Sequence, residues 1–165
     1  MALFAPEPLA SHHPVAEFCS GVAVLDDWLK RRALNNQASG ASRTFIVREA
    51  DKIAGYYALA SGAVNLSAAT GRFRRNMPDP IPVVVLARLA VDRRYQGRGL
   101  GRAMFRDGAQ RVLNAADSIG IRGILVHAIS AEAKAFHLGL GFEPSPIEPM
   151  TLMVTVPDLR KTVET

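Results

Sequence analysis

The sequence predicts an α/β domain, with a central mixed β-sheet flanked by helices. Three observations predict it. Val83 to Val91 is a nearly unbroken apolar run rich in valine, the pattern of a strand covered on both faces. That run passes through a basic turn carrying Gly97, Gly99 and Gly101 into a helical period in which Leu100, Met104, Gly108 and Val112 share one face. Upstream, two β-prone segments joined by a short polar turn read as a hairpin. Downstream, two further strand patterns enclose a short helix.

In chain order, Met1 to Pro14 is proline-rich and reads as an extended arm or edge strand, with His12 and His13 as surface residues that lack a third metal ligand. Phe18 to Gly21 is a turn. Val24, Leu25, Trp28, Leu29 and Ala33 form a helical apolar stripe. Lys30, Arg31 and Arg32 stand at its C-terminal end, where the helix dipole favours cations. Ser39 to Ser42 is a loop, Thr44 to Arg48 a strand and Glu49 to Lys52 a turn. Ile53 to Leu66 is the second hairpin arm, with Gly55 and Gly62 as bulge candidates. Gly71 to Pro82 reads as an exposed loop. Its Arg72, Arg74 and Arg75 either meet an anionic substrate, with Phe73 stacking on a base, or are plain solvated charge. The helix from Leu100 runs to about Asp117. Arg122 to Ala128 is a strand, Ala131 to Leu138 a helix, and Met150 to Val156 the last strand before a short basic tail.

Composition narrows the function classes. With 165 residues, 48% of them hydrophobic, one domain spanning residues 1–165 with a full core is expected, and disorder is excluded. No apolar stretch has membrane-spanning length, and no basic-then-apolar leader opens the chain. The single cysteine, Cys19, precludes an internal disulfide and suits a cytoplasmic setting. No Cys/His spacing suggests a metal. A net charge of +5 and a pI of about 9.9 favour polyanions, either coenzyme phosphates or a nucleic-acid backbone.

The glycine turn is where such an anion fits. The first amides of a helix lack intrahelical partners and point along its positive end. Glycines let an anion approach them without meeting a Cβ. Arg93, Arg94, Arg98 and Arg102 add charge around the turn. The turn lacks the Gly-Lys-Ser/Thr ending of a nucleotide P-loop and the spacing of the dinucleotide fingerprint.

Gln96-Gly97-Arg98-Gly99-Leu100-Gly101 resembles the acyl-coenzyme A signature of the GNAT acetyltransferase superfamily. Ala135-Phe136-His137-Leu138-Gly139-Leu140-Gly141-Phe142 resembles that superfamily's fourth-helix segment. A narrower resemblance, from about Phe18 to Leu152, is to the acetyltransferase toxins of type II toxin–antitoxin pairs. It is carried by Leu25-Asp26-Asp27-Trp28-Leu29, Gly55-Tyr56-Tyr57-Ala58-Leu59, Leu86 to Asp92, the glycine turn, and Gly123-Ile124-Leu125-Val126-His127-Ala128.

This resemblance implies a GNAT fold and a cytoplasmic enzyme that moves acetyl from acetyl-CoA to the α-amino group of aminoacyl-tRNA, blocking translation. It further implies a homodimer silenced by a ribbon-helix-helix antitoxin, with no membrane partner and no metal. The backbone of Leu89, Ala90 and Val91 would hold the pantetheine arm. Gln96, Gly97, Arg98, Gly99, Leu100, Gly101 and Arg102 would hold the pyrophosphate, and Arg72, Arg74, Arg75 and Arg88 would border the tRNA. Arg88, a charge inside an apolar strand, either pairs with an acid or faces the substrate.

The family carries a tyrosine after the phenylalanine of its fourth helix, taken as the general acid for the leaving thiolate; this chain has His137 there. His137 is a working substitute, the mark of a weak enzyme, or an engineered change. Two alternatives follow: a small-amine or protein N-acetyltransferase, and a catalytically impaired acyl-CoA-binding member.

Overall fold

The computed structural model describes residues 2–164. Seven strands form one mixed sheet: β1 (Glu7–Pro8), β2 (Arg43–Glu49), β3 (Lys52–Val64), β4 (Ile81–Val91), β5 (Gly123–His127), β6 (Glu143–Pro144) and β7 (Thr151–Thr155), in the order β1-β2-β3-β4-β5-β7-β6. The helices are α1 (Ala23–Arg31), α2 (Ala33–Ser39), α3 (Gly71–Arg74), α4 (Leu100–Ala116), α5 (Ala131–Leu138) and α6 (Val156–Glu164). The chain divides into two units. The first comprises residues up to Ala60 with Ala87–Gly108; the second comprises Ser61–Leu86 and the chain from Ala109 onward. Among the described residues, no helix is long and apolar enough to cross a membrane.

In the first unit, β2 and β3 pair antiparallel. Their register slips where Val47 faces Gly55 and Arg48 faces Ile53, so Ala54 is the extra residue of a bulge beside the glycine. The Ala54 carbonyl accepts the Asp92 amide at 2.8 Å, which is the use of that irregularity. Gly55 is required by packing: a Cβ there would lie 2.8 Å from Met104 Cε and 3.1 Å from the Ala90 carbonyl. The core gathers Leu9, Phe18, Leu25, Leu29, Ala33, Ile46, Ile53, Tyr56 and Ala90. Burying the leucine, isoleucine and phenylalanine side chains among them is worth about 1.5–3 kcal/mol each.

The expected single helix is two. It breaks at Arg32, although the apolar period continues to Ala33. Val24 of the expected stripe is exposed, whereas Asp26 is buried; Asp26 accepts the Ser20 amide at 2.9 Å and the Ser20 hydroxyl at 2.7 Å, securing the first turn of α1. His13, expected at the surface, is buried, because its Nδ1 accepts the Ala10 amide at 2.8 Å and folds the ring inward.

In the second unit, β4 and β5 pair in parallel at Val84↔Ile124 and Val85↔Leu125, and β5 pairs antiparallel with β7 from Gly123↔Thr155 to His127↔Thr151. The expectation that Val83 to Val91 is covered on both faces fails. Ile81, Val83, Leu86 and Ala90 are buried, but Val84, Val85, Ala87, Arg88, Leu89 and Val91 are half-buried. The parallel ladder ends at Val85, so among the described residues β4 continues without a strand partner on that edge.

Phe73 is also a correction. It does not lie in an exposed loop but in α3, capped by the Thr70 hydroxyl at 3.2 Å, and it is buried with Val64, Ala69, Ile81, Val83, Leu125 and Met153. Gly123 opposite has no room for a Cβ, which would stand 1.9 Å from the Val154 carbonyl oxygen. The expected basic tail is helix α6. Pro157 stands in its first turn, Thr155 Oγ1 accepts the Asp158 amide at 3.2 Å, and Leu159 is buried.

Candidate functional site

The first unit carries a pocket of backbone amides. Gly97 and Gly99 have φ values of 78° and 79°, a region that side chains avoid, and a Cβ on either would meet no protein atom within 4 Å. The turn therefore uses glycine for its shape and leaves the concave side open. Among the described residues, the amides from Gln96 to Arg102 have no hydrogen-bond acceptor, and they point from the start of the 17-residue helix α4. Unsatisfied amides at a positive helix end make an anion site. This arrangement fits the pyrophosphate of a coenzyme. Among the described residues, the edge of β4 after Val85 has no strand partner from β5, which leaves backbone able to hydrogen-bond an extended arm along Leu89, Ala90 and Val91.

The turn is held from below. Asp92 is buried and accepts the Cys19 amide at 3.1 Å, the Arg94 amide at 3.0 Å, and Arg94 Nε and Nη2 at 2.9 and 3.2 Å. Burial pushes the Asp92 carboxyl up, but the Arg94 guanidinium and the two amides outweigh it and hold the group below the usual carboxylate range. Gln96 donates its side-chain amide to the Ser20 and Val91 carbonyls, both at 2.8 Å, so its side chain braces the turn. Tyr95 donates to Glu49 at 2.8 Å; burial and that carboxylate push its phenol up.

The four arginines divide accordingly. Arg94 is committed to Asp92, Arg98 lies 5.5 Å over the Tyr95 ring, and the Arg93 guanidinium packs at Gly21. Arg102 is exposed on the first turn of α4. Arg88 also belongs to this unit. Its guanidinium lies 5.0 Å over the Trp28 ring and donates to the Ala87 carbonyl at 2.7 Å; among the described residues it has no ion pair.

The second unit holds His137. The ring is buried, edge-on to Phe136 at 5.1 Å and to Phe142 at 5.3 Å. Its Nδ1 lies 2.9 Å from the Ala133 carbonyl, which can only accept, so Nδ1 carries the proton of the neutral ring. Nε2 is then a bare lone pair, buried and, among the described residues, without a partner. Burial lowers the His137 pKa, although the Ala133 bond works in the other direction. In the same unit Arg72 pairs with Asp158 at 3.1 Å, and Arg122 donates to the Arg72 and Phe73 carbonyls at 2.7 and 2.8 Å. Arg74 and Arg75 are exposed. Among the described residues, no group of His, Cys, Asp or Glu is placed to hold a metal.

The sequence names Gln96 for the pyrophosphate and Asp92 in a motif, but it does not show that their side chains, with Ser20, brace the turn. Asp92, Ser20 and Gln96 act across 73 to 76 positions of chain, and no local signal announces such partners.

Comparison with known proteins agrees with this geometry. The family described as an acetyltransferase (GNAT) domain matches residues 15–151. The chain is 51% identical to the tRNA-acetylating toxin of Mycobacterium tuberculosis (strain ATCC 25618 / H37Rv) over 156 residues, 94% of each protein. The crystal structure of AtaTR bound with AcCoA matches with a TM-score of 0.81 at 25% identity, covering 96% of both chains. A mutant AtaT toxin bound to the C-terminus of the antitoxin AtaR matches with a TM-score of 0.82 at 25% identity, covering 97% of this chain and 96% of that one. On the strength of the matched residues and the mixed sheet that carries them, the chain belongs to the GNAT acetyltransferase family.

Proposed function

We propose that this chain is an acetyl-CoA-dependent N-acetyltransferase toxin that acetylates the α-amino group of aminoacyl-tRNA and so blocks translation. The observation that carries the reading is the 51% identity to a tRNA-acetylating toxin across nearly the whole of both proteins. The open amide pocket at the start of α4 supports the coenzyme part of it, and the net charge of +5 supports a polyanionic acceptor.

In this reading residues 1–165 work as one catalytic domain in the cytoplasm. The amides of Gln96, Gly97, Arg98, Gly99, Leu100, Gly101 and Arg102 hold the pyrophosphate, and the backbone of Leu89, Ala90 and Val91 holds the pantetheine arm. Acetyl-CoA supplies an activated acetyl group. Arg72, Arg74, Arg75 and Arg88 border the tRNA. Of these, Arg74 and Arg75 offer the most charge, since Arg72 is shared with Asp158 and Arg88 with the Trp28 face. A homodimer silenced by a ribbon-helix-helix antitoxin completes the proposal; the likeness to a toxin bound to the C-terminus of its antitoxin supports an antitoxin partner.

His137 stands where the family places its proton donor. With Nδ1–H committed to Ala133, its neutral ring has no proton to give from Nε2, and burial works against charging it. It therefore serves the leaving thiolate less well than a phenol. The test is acetyl transfer from labelled acetyl-CoA to bulk charged tRNA, beside a His137→Tyr variant. Transfer by both, with the variant faster, is expected. Transfer by the variant alone marks this chain as an impaired form that binds acetyl-CoA. Transfer by neither removes the tRNA assignment and brings forward small amines or protein N-termini.

A further inference from the structure

The geometry assigns to His127 the role of the base that takes the proton from the acceptor amine, with Thr151 and Glu148 positioning it; the assignment rests on the acetyltransferase reading above. His127 ends β5 and faces Thr151 at the start of β7. Its ring is exposed, and its Nδ1 lies 3.0 Å from Thr151 Oγ1, which in turn lies 3.3 Å from Glu148 Oε2. A carboxylate only accepts, and threonine has one hydroxyl proton. The arrangement that satisfies both contacts has Thr151 donating to Glu148 and accepting from His127 Nδ1–H. The neutral ring then carries its lone pair on Nε2. A carboxylate behind an imidazole fixes the tautomer and stabilises the charge the ring gains. Here a hydroxyl is interposed.

The relay is held in place. The Thr151 amide donates to the Glu148 carbonyl at 2.9 Å, the Ala128 amide to the Met150 carbonyl at 2.7 Å, and Ser145 Oγ accepts the Ile147 and Glu148 amides at 3.3 and 3.2 Å. Its position suits chemistry. β4 and β5 are a parallel pair whose ladder ends at Leu125, and His127 lies two residues beyond, at the C-terminal end where parallel strands present their ligands. Ile129, Ile147 and Met150 are exposed on the flanking loops and make that rim apolar. His137 offers no equivalent: its Nε2 is buried, and a carbonyl rather than a hydroxyl and carboxylate stands behind its Nδ1.

In the assigned step the amine nitrogen forms a bond to the acetyl carbon, and the carbon–sulfur bond breaks with its electron pair left on sulfur. The surplus proton on the new amide nitrogen passes to His127 Nε2. The imidazolium returns that proton to water, and the thiolate takes one from water.

The test uses the full chain and single-turnover acetylation of charged tRNA, with acetyl-CoA affinity measured by calorimetry. His127→Ala is expected to slow transfer by about 100- to 1,000-fold with acetyl-CoA affinity unchanged, and added imidazole is expected to restore part of the rate. Thr151→Val is expected to slow transfer by about tenfold, a smaller loss because the base itself remains, and Thr151→Ser to recover it. NMR of the imidazole nitrogens in the free protein is expected to find the His127 proton on Nδ1, and to lose that preference in Thr151→Val. Transfer by His127→Ala within twofold of the parent, or the absence of imidazole rescue, overturns the assignment. A bare Nδ1 in the NMR spectrum overturns it too, and that readout needs no substrate. A parent protein that acetylates no charged tRNA but does acetylate a small amine defeats the substrate reading alone, and the same variants are then read on that amine.

Discussion

In the proposed reading the groups that act between Gln96 and Gly101 are main-chain amides, whereas along β5, β7 and α5 they are the ring nitrogens of His127 and His137. An amide pocket needs only a backbone path, and that path needs glycine at the two positions with positive φ. Its rigidity is borrowed from elsewhere, from Asp92 and Gln96 bonding to the Cys19–Ser20 turn. In the proposed reading the histidine region works by protonation, so its chemistry depends on what stands behind each ring: a hydroxyl and a carboxylate behind His127, a carbonyl behind His137. One region resists loss of any single side chain that faces the ligand. The other is decided by single side chains.

The largest effect that would break this contrast is at Asp92. Asp92→Ala removes bonds to two amides and to Arg94, and a stability loss of about 3 kcal/mol is expected by urea unfolding, the Arg94 share being small because that guanidinium is half exposed. A loss below about 1 kcal/mol would show that the turn stands without its supports.

Next is Gly99→Val. A β-branched residue in the left-handed region costs about 1–2 kcal/mol, so acetyl-CoA affinity by calorimetry is expected to fall by about tenfold or more, with the circular-dichroism spectrum unchanged. Unchanged affinity would mean that the amides do not hold the coenzyme.

Charge reversal at Arg74 and Arg75 is expected to raise the KM for charged tRNA by about tenfold, as removal of phosphate contacts does, and to leave kcat alone. Intact tRNA acetylation in that variant would dismiss the arginines as substrate contacts.

The smallest expected effect is on the pH dependence of stability. The folded-state pKa of His137 is lowered by burial, so the unfolded chain binds the proton first, and stability falls as pH drops below about 6.5. His13 adds a limb of the same sign, lowered by burial and by His12. His137→Phe is expected to flatten the His137 part of the curve in thermal melts across that window.

How much of this was legible in the sequence follows from the same contrast. The glycine turn, the start of α4 and the bounds of α5 were read correctly, because spacing and period are local properties. Phe73 was misread because prolines and arginines around it suggest a loop, and only the core beneath α3 shows why an aromatic stands there. Helix α6 was hidden by its charges, although Val156, Leu159 and Val163 carry a helical period. The burial of His13, the break at Arg32 and the service of Asp92 each depend on partners distant in the chain or on backbone geometry that residue type alone does not announce. The His127 relay joins a strand end to residues 21 and 24 positions later, and only the β5–β7 register brings them together.

The clamping of α3 has a consequence for ionic strength. Asp158 already neutralises Arg72, and Arg122 holds the Arg72 and Phe73 carbonyls, so Arg74 and Arg75 are presented on a fixed support and, among the described residues, have no counter-charge of their own. If each displaces condensed counterions from one phosphate, the pair contributes a slope of about −1.4 to −1.8 to the logarithm of tRNA affinity against the logarithm of salt concentration. Asp158→Asn would release Arg72 and, in the proposed reading, steepen that slope by about one further contact, so a carboxylate outside the proposed site would set how strongly salt loosens the tRNA.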